Sequence, residues 1–282
     1  MKFNRDTAEV FIPDGLPVEE ALVRTTHLCI AAHQDDIEIM APQPILECFQ
    51  QDDKWFTGVV VTDGRGSPRN GIYEKYTDEE MRLVRFKEQR KAAIVGEFAA
   101  QVMLDYPSRD VKDGDNTTVV EDIVTVLKAM HPQMVFTHNL ADKHATHVGV
   151  AVKVVKAIRK LPSSERPHHL YGCEVWRSLD WLLDEEKVVL DCSSQENLQS
   201  ALLGVFDSQI SGGKHYDLST MGRRVANATY YASHDVDNAT GLAYAMDLTP
   251  LITDPDLDIC EYVQGHIDRF AHDVKNLMIS VM

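Results

Sequence analysis

Apolar residues along this chain fall into two patterns: short continuous runs, and longer stretches in which every third or fourth position is apolar. The runs at 27–32, 55–62, 101–106 and 133–137 read as buried strands, and the second is nearly continuous, as a central parallel strand requires. Between them, 42–51 presents Ile45, Leu46 and Phe49 on one side. Thr77, Asp78, Glu79 and Glu80 form a capping box that starts a helix through Met81, Val84, Ala92 and Val95 to Gly96. Helical spacing recurs at 119–130 and 148–158. Strand and helix in alternation predict an α/β fold, Rossmann-like and doubly wound, with a mostly parallel sheet and helices on both faces.

The flanks are less regular. Residues before Thr25 read as an irregular lead-in punctuated by Pro13 and Pro17. Strands are expected at 172–177 and 242–248, and helices at 195–206 and 220–232. Ile259, Val263, Ile267, Phe270, Val274, Leu277 and Val281 form an apolar stripe that predicts a long C-terminal helix, packed on its own core or, as a second reading, on another subunit. No repeat or low-complexity linker breaks the chain, so a single domain over 1–282 is expected, with its motifs within 26–160 and a less legible part at 161–282.

Composition narrows the function classes. A net charge of −16 argues against nucleic acid or an anionic membrane as the main partner and makes a small neutral or cationic substrate easier to accommodate. The five cysteines are scattered and free of C-x-x-C spacing, which fits reduced thiols and a cytoplasmic location. No apolar run approaches the roughly 20 residues of a membrane span, so neither export nor insertion is expected.

Candidate chemistry sits where two strands end. The first run stops at His33, Gln34, Asp35 and Asp36, which places polar groups at the C-terminal edge of a sheet, where open α/β folds bind ligands. His33 and Asp36 are spaced to meet one metal ion of the kind Zn²⁺ exemplifies, leaving Asp35 beside it as an unligated base. Adjacent aspartates also suit a solvated turn or a helix N-cap. The fourth run leads to His144 and His147, one helical turn apart and so on one face. Two such clusters at separate strand ends favour the metal reading.

These residues resemble the LmbE/PIG-L family of zinc-dependent N-acetylglucosaminyl deacetylases. Ala32-His33-Gln34-Asp35-Asp36-Ile37-Glu38 matches the motif A-H-x-D-D-x-E, and His144-Ala145-Thr146-His147 matches H-x-x-H. Thr62-Asp63-Gly64 is similar to the T-x-G turn, and the stretch from Arg85 through Glu88 to Ala92 to the family's R-x-x-E-x-x-x-A helix. The resemblance implies one Zn²⁺ per chain held by His33, Asp36 and His147. It also implies Asp35 as general base and His144 as acid or oxyanion stabiliser. Arg85 occupies a sugar-contacting position, and Asp110, after the third strand, is a further substrate candidate. The implied substrate is a small N-acyl amino sugar or conjugate, and the implied assembly is a homo-oligomer. The common second motif is H-P-D-H, whose Asp helps to orient a histidine; Thr146 stands in that place here.

The alternatives are an amidase acting on a sugar-thiol conjugate and an inactive metal- or sugar-binding relative, for which Thr146 is the best support. A dinucleotide-dependent dehydrogenase is disfavoured because no G-x-G-x-x-G follows the first strand, and a serine hydrolase because no G-x-S-x-G elbow exists.

Overall fold

The computed structural model describes residues 1–282. Its strands are β1 (Glu9–Phe11), β2 (His27–Ala31), β3 (Phe56–Thr62), β4 (Ala100–Tyr106), β5 (Met134–His138), β6 (His169–Cys173), β7 (Lys187–Asp191) and β8 (Leu242–Asp247). They form one sheet in the order β1-β4-β3-β2-β5-β6-β8-β7. The five strands β4, β3, β2, β5 and β6 are mutually parallel. β1 is antiparallel to β4, and β8 runs antiparallel to both β6 and β7.

Every residue of β2, β3 and β4 is buried, which is why these segments read as apolar runs rather than alternating ones. Successive side chains feed opposite core layers. Ile30, Val59 and Val102 face one layer with the helices Thr118–Met130 and Ala145–Arg159. Cys29, Val60 and Met103 face the other, with Pro42–Cys48, Asp78–Val95 and Glu196–Gly204. The chain moves from β2 outward through β3 to β4, then returns to β5 on the opposite side of β2. That reversal opens a crevice beyond the C-terminal ends of β2 and β5, the two strands that carry the His/Asp clusters.

Several expectations are corrected. The lead-in holds β1 and a helix, Val18–Val23. The strand expected at 172–177 lies at His169–Cys173, and β7 adds an edge strand that the sequence pattern did not suggest. A short helix, Asp36–Met40, precedes Pro42–Cys48; the break falls at Ala41 because Pro42, which lacks an N–H, opens the next helix. The C-terminal helix spans Ile259–Val281, but only its first turns reach the core, through Ile259, Tyr262 and Val263. Twenty-three residues extend about 34 Å, and Leu277 and Val281 at the far end stand 65% and 79% exposed. No helix is long and apolar enough to cross a membrane.

Candidate metal centre and active site

The end of β2 is clamped from both neighbours. Thr62 at the end of β3 donates to the Ala32 carbonyl from its N–H (2.9 Å) and from Oγ1 (2.8 Å). On the other side the Ala32 N–H donates to Nε2 of His138 at 2.8 Å. The turn that follows carries His33, Asp35 and Asp36, and Asp36 Oδ2 accepts the His33 backbone N–H at 2.7 Å.

Three donor atoms converge there. His33 Nδ1 lies 3.1 Å from Asp36 Oδ2 and 3.2 Å from His147 Nε2, which is 3.3 Å from the same Asp36 oxygen. Ligands about 2.0–2.1 Å from a tetrahedral ion stand about 3.3 Å apart, so this triangle has the size of one face of such a site. The charges agree. Burial disfavours a carboxylate, yet the imidazoles of His147 and His138 hold Asp36 well below the usual carboxylate range. Burial likewise opposes a charged His147, but Asp36 and Asp142 on either side of it raise it to about 9. The pocket floor is thus built to hold positive charge.

Two residues that sequence reasoning missed complete the centre. Asp142 places Oδ2 3.5 Å from His147 Nδ1, accepts the His144 N–H at 2.9 Å and accepts the Trp176 N–H at 3.1 Å. A carboxylate behind a ligating imidazole fixes the ring's orientation and tautomer. The charge that Thr146 lacks therefore arrives at His147 from five residues upstream. His138 is fully buried, stacks on His147 with centroids 3.9 Å apart, and sits 3.5 Å from Asp36. Its Nε2 is occupied by the Ala32 N–H, so it shapes the site from behind. Its place at the end of a strand adjacent to β2 was the available signal. His144 is the N-cap residue of helix Ala145–Arg159, and its Nδ1 is buried without a partner. Burial, then the neighbouring His147 and His33, lower its imidazole to about 4.

Asp35 is not spent on helix capping. It occupies the N-cap position of Asp36–Met40 without a side-chain cap hydrogen bond, and its φ of 95° is a conformation that a non-glycine residue adopts only under strain. The side chain is turned instead towards Arg85, whose Nη2 lies 3.1 Å from Oδ2 and also bonds the Gln34 carbonyl. Its backbone N–H donates to Gln89 Oε1 at 3.3 Å. Burial raises the Asp35 carboxyl to about 6 against the opposing pull of Arg85. Arg85 is anchored from behind by Glu88 (3.3 Å), and both Glu88 oxygens accept from Ser208, its N–H and its Oγ each at 2.7 Å. The T-x-G turn supports this arrangement: Gly64 has φ +70°, and a Cβ there would stand 2.5 Å from Gln34 Oε1 and 3.1 Å from Arg85 Cβ.

A cavity of about 750 Å³ opens over these groups, lined by His33, Asp35, Asp36, Arg85 and His144, with His147 buried beneath. Of the sequence candidates, Asp110 does not line it. It lies on the short helix Ser108–Lys112 beside Arg109, and Ser108 and Lys112 face the cavity instead.

Residues 28–158 match the family model described as PIG-L, GlcNAc-PI de-N-acetylase. No curated protein matches the chain. Among solved structures, N,N′-diacetylchitobiose deacetylase from Pyrococcus horikoshii superposes with a TM-score of 0.62 at 16% identity, over 82% of this chain and 86% of the other. GalB, the 4-carboxy-2-hydroxymuconate hydratase from Pseudomonas putida, gives 0.61 at 16% identity, over 79% and 95%. The A40926 pseudoaglycone deacetylase Dbv21 gives 0.58 at 15%, over 79% and 97%. These likenesses establish the fold, which hosts both deacetylases and a hydratase, so the reaction must be argued from the site.

Proposed function

We propose, for a chain whose residues 28–158 form a PIG-L family domain, that the protein is a zinc-dependent N-deacetylase of N-acetylglucosamine-type substrates. One observation carries the reading: three candidate metal donors within 3.3 Å of one another stand beside a buried carboxylate, Asp35, that faces the cavity from outside that triangle. A site made only to bind a metal or a sugar has no use for such a group. Thr146 is the best support for the inactive-relative alternative, and Asp142, 3.5 Å from His147 Nδ1, weighs against it.

In this proposal His33, Asp36 and His147 hold one Zn²⁺ per chain. Bound there, zinc would bring the pKa of a water towards about 7 and polarise the amide carbonyl. Asp35 is placed to take the proton of the attacking water as that water's oxygen bonds to the carbonyl carbon. Oδ2 is held by Arg85, which leaves Oδ1 free to receive the proton. A carboxyl near 6 is mostly ionised at neutral pH and still acidic enough, once protonated, to pass the proton to the departing nitrogen as the C–N bond breaks. His144, kept neutral by burial and by its histidine neighbours, donates a ring N–H to the carbonyl oxygen as negative charge gathers there. Arg85 acts as a positioning residue for Asp35, since its guanidinium is already taken up by Asp35, Gln34, Glu88 and Ser208.

The test is primary-amine release by zinc-loaded protein from a panel of N-acetylglucosaminides, with Asp35→Asn as the comparison. Amine release that disappears in Asp35→Asn while zinc stays bound is the expected result. Undiminished turnover in that variant would refute the assignment of the base, and silence of the unmodified protein across the panel would refute the deacetylase reading.

A further inference from the structure

The charge around the cavity is opposite to that of the molecule. The chain carries −16 overall, yet apart from His33, Asp35, Asp36, Arg85 and His144, the charged residues lining the cavity are Lys112, Lys143, Lys214 and Arg223. They come from separate segments: the helix after β4, the loop after β5, and the turn and helix 214–230. None takes part in an ion pair, whereas Arg65 and Arg69 on the neighbouring loop are bound to Asp63, Glu79 and Asp78. Arg223 spends one nitrogen on the Val175 carbonyl. The adjacent buried Glu174 is a coulombic partner of Arg223 while its oxygens accept from Asn227, the Tyr244 N–H and the Leu179 N–H, so the three lysines are the cations left without a counter-ion.

Trp176 ties these cations to the reacting end. Its ring lies 6.4 Å from that of His144 and stacks nearly parallel to it, and the ammonium groups of Lys214 and Lys143 lie 5.1 and 5.8 Å from its centroid. Both ammonium groups are therefore within about 12 Å of His144, roughly one pyranose ring and one substituent away. The three unpaired lysines and Arg223 repel one another in the free protein, and an anion entering the cleft relieves that repulsion.

We infer that the substrate carries an anionic group, a phosphate or a carboxylate, attached to or next to the amino sugar and received by Lys112, Lys143, Lys214 and Arg223 beside Trp176. The inference rests on the deacetylase reading and narrows its substrate class. It also replaces the neutral or cationic substrate expected from net charge, which averages over a surface that the ligand never meets. Each partly exposed charge pair is worth roughly a two- to five-fold gain in affinity, so the set should supply about tenfold or more.

The experiment measures binding, which does not depend on turnover. Zinc-loaded protein is titrated calorimetrically with glucosamine, glucosamine 6-phosphate and a glucosamine glycoside bearing a carboxylate, at low and high salt. At least one anionic sugar should bind about tenfold or more tightly than glucosamine, and the two anionic probes tell phosphate from carboxylate. The advantage should shrink in salt and in the double variant Lys143→Gln, Lys214→Gln, both exposed positions whose folding is checked by circular dichroism. Equal affinities would overturn the inference. So would an advantage that the double variant keeps, since the anion would then be held by the metal alone. Amine release from the N-acetylated forms of the same sugars tests the deacetylase reading separately.

Discussion

Arg85→Met separates a residue that sets the base from one that grips the sugar. Arg85 is 1% exposed and serves two buried carboxylates at once, with Asp35 at 3.1 Å and Glu88 at 3.3 Å. An adjacent guanidinium lowers an aspartate by about 1–3 pKa units. Without it, the Asp35 carboxyl should climb from about 6 by about that amount, because burial and the neighbouring Asp36 both push it upward. The base works ionised, so the acid limb of kcat/KM should move to higher pH by at least about one unit, with activity lost at pH 7 and partly regained in alkali. Stability should follow the same sign. Both carboxylates would have folded pKa values above their unfolded ones, so the deficit, about 3–5 kcal/mol for a broken buried pair, should grow as pH rises through those values and shrink in acid. The assays are a pH–rate profile of the zinc-loaded variant and denaturant melts at acid and alkaline pH, with Arg85→Lys expected to recover part of the limb. If the limb stays where it is while KM rises at every pH, Arg85 contacts substrate and the positioning argument fails.

Three further outcomes follow from the geometry. Zinc at 100 times its dissociation constant should stabilise the protein by about 2.7 kcal/mol, about 5–10 °C in Tm, and His147→Ala should erase that increment; an equal increment in the variant would remove His147 from the ligand set. Gly64→Ala should cost about 1–3 kcal/mol and depress kcat, because φ is +70° and the new Cβ would press on Gln34 and Arg85; unchanged melting and activity would show that the turn bears no strain. His27 is 4% exposed, and burial pushes its imidazole down. Its contribution is therefore present above about pH 6.5 and lost as pH falls, at up to about 1.4 kcal/mol per unit, so His27→Leu should flatten the acid slope of stability measured by denaturant melts, and an identical slope would exclude it.

The central sheet was legible because β2, β3, β4 and β5 are buried on both faces and so declare themselves as apolar runs. The edges were not. β1 has three half-buried residues, and β7 is mostly half-exposed, so neither carries a run or a clear alternation. The hydrogen bonds that close the back of the site were equally invisible: Ser208 reaches Glu88 across 120 residues, and Arg224 donates to the Glu38 carbonyl across 186. They join the less legible C-terminal part to the first motif, so residues beyond 160 help to build the centre.

A difference in physical tolerance separates what the motifs revealed from what they concealed. A metal ligand must place one atom within a few tenths of an ångström of a fixed distance, and only a few positions on a strand end or a first helical turn can do so. The proposed ligands His33, Asp36 and His147 therefore stand in readable spacing. An orienting carboxylate acts through a field that weakens only as the reciprocal of distance, so it can enter from several directions. Asp142 reaches His147 from the loop before the helix, where the family's H-P-D-H would supply its Asp from within the motif, and Thr146 misleads only a reading confined to the motif. The same tolerance governs the cavity rim, where Lys112, Lys143 and Lys214 come from three separate segments, a short helix, a loop and a turn, with no shared spacing. Groups of this second kind are found only once the fold brings them together, and in the proposed enzyme they set the substrate that the site receives.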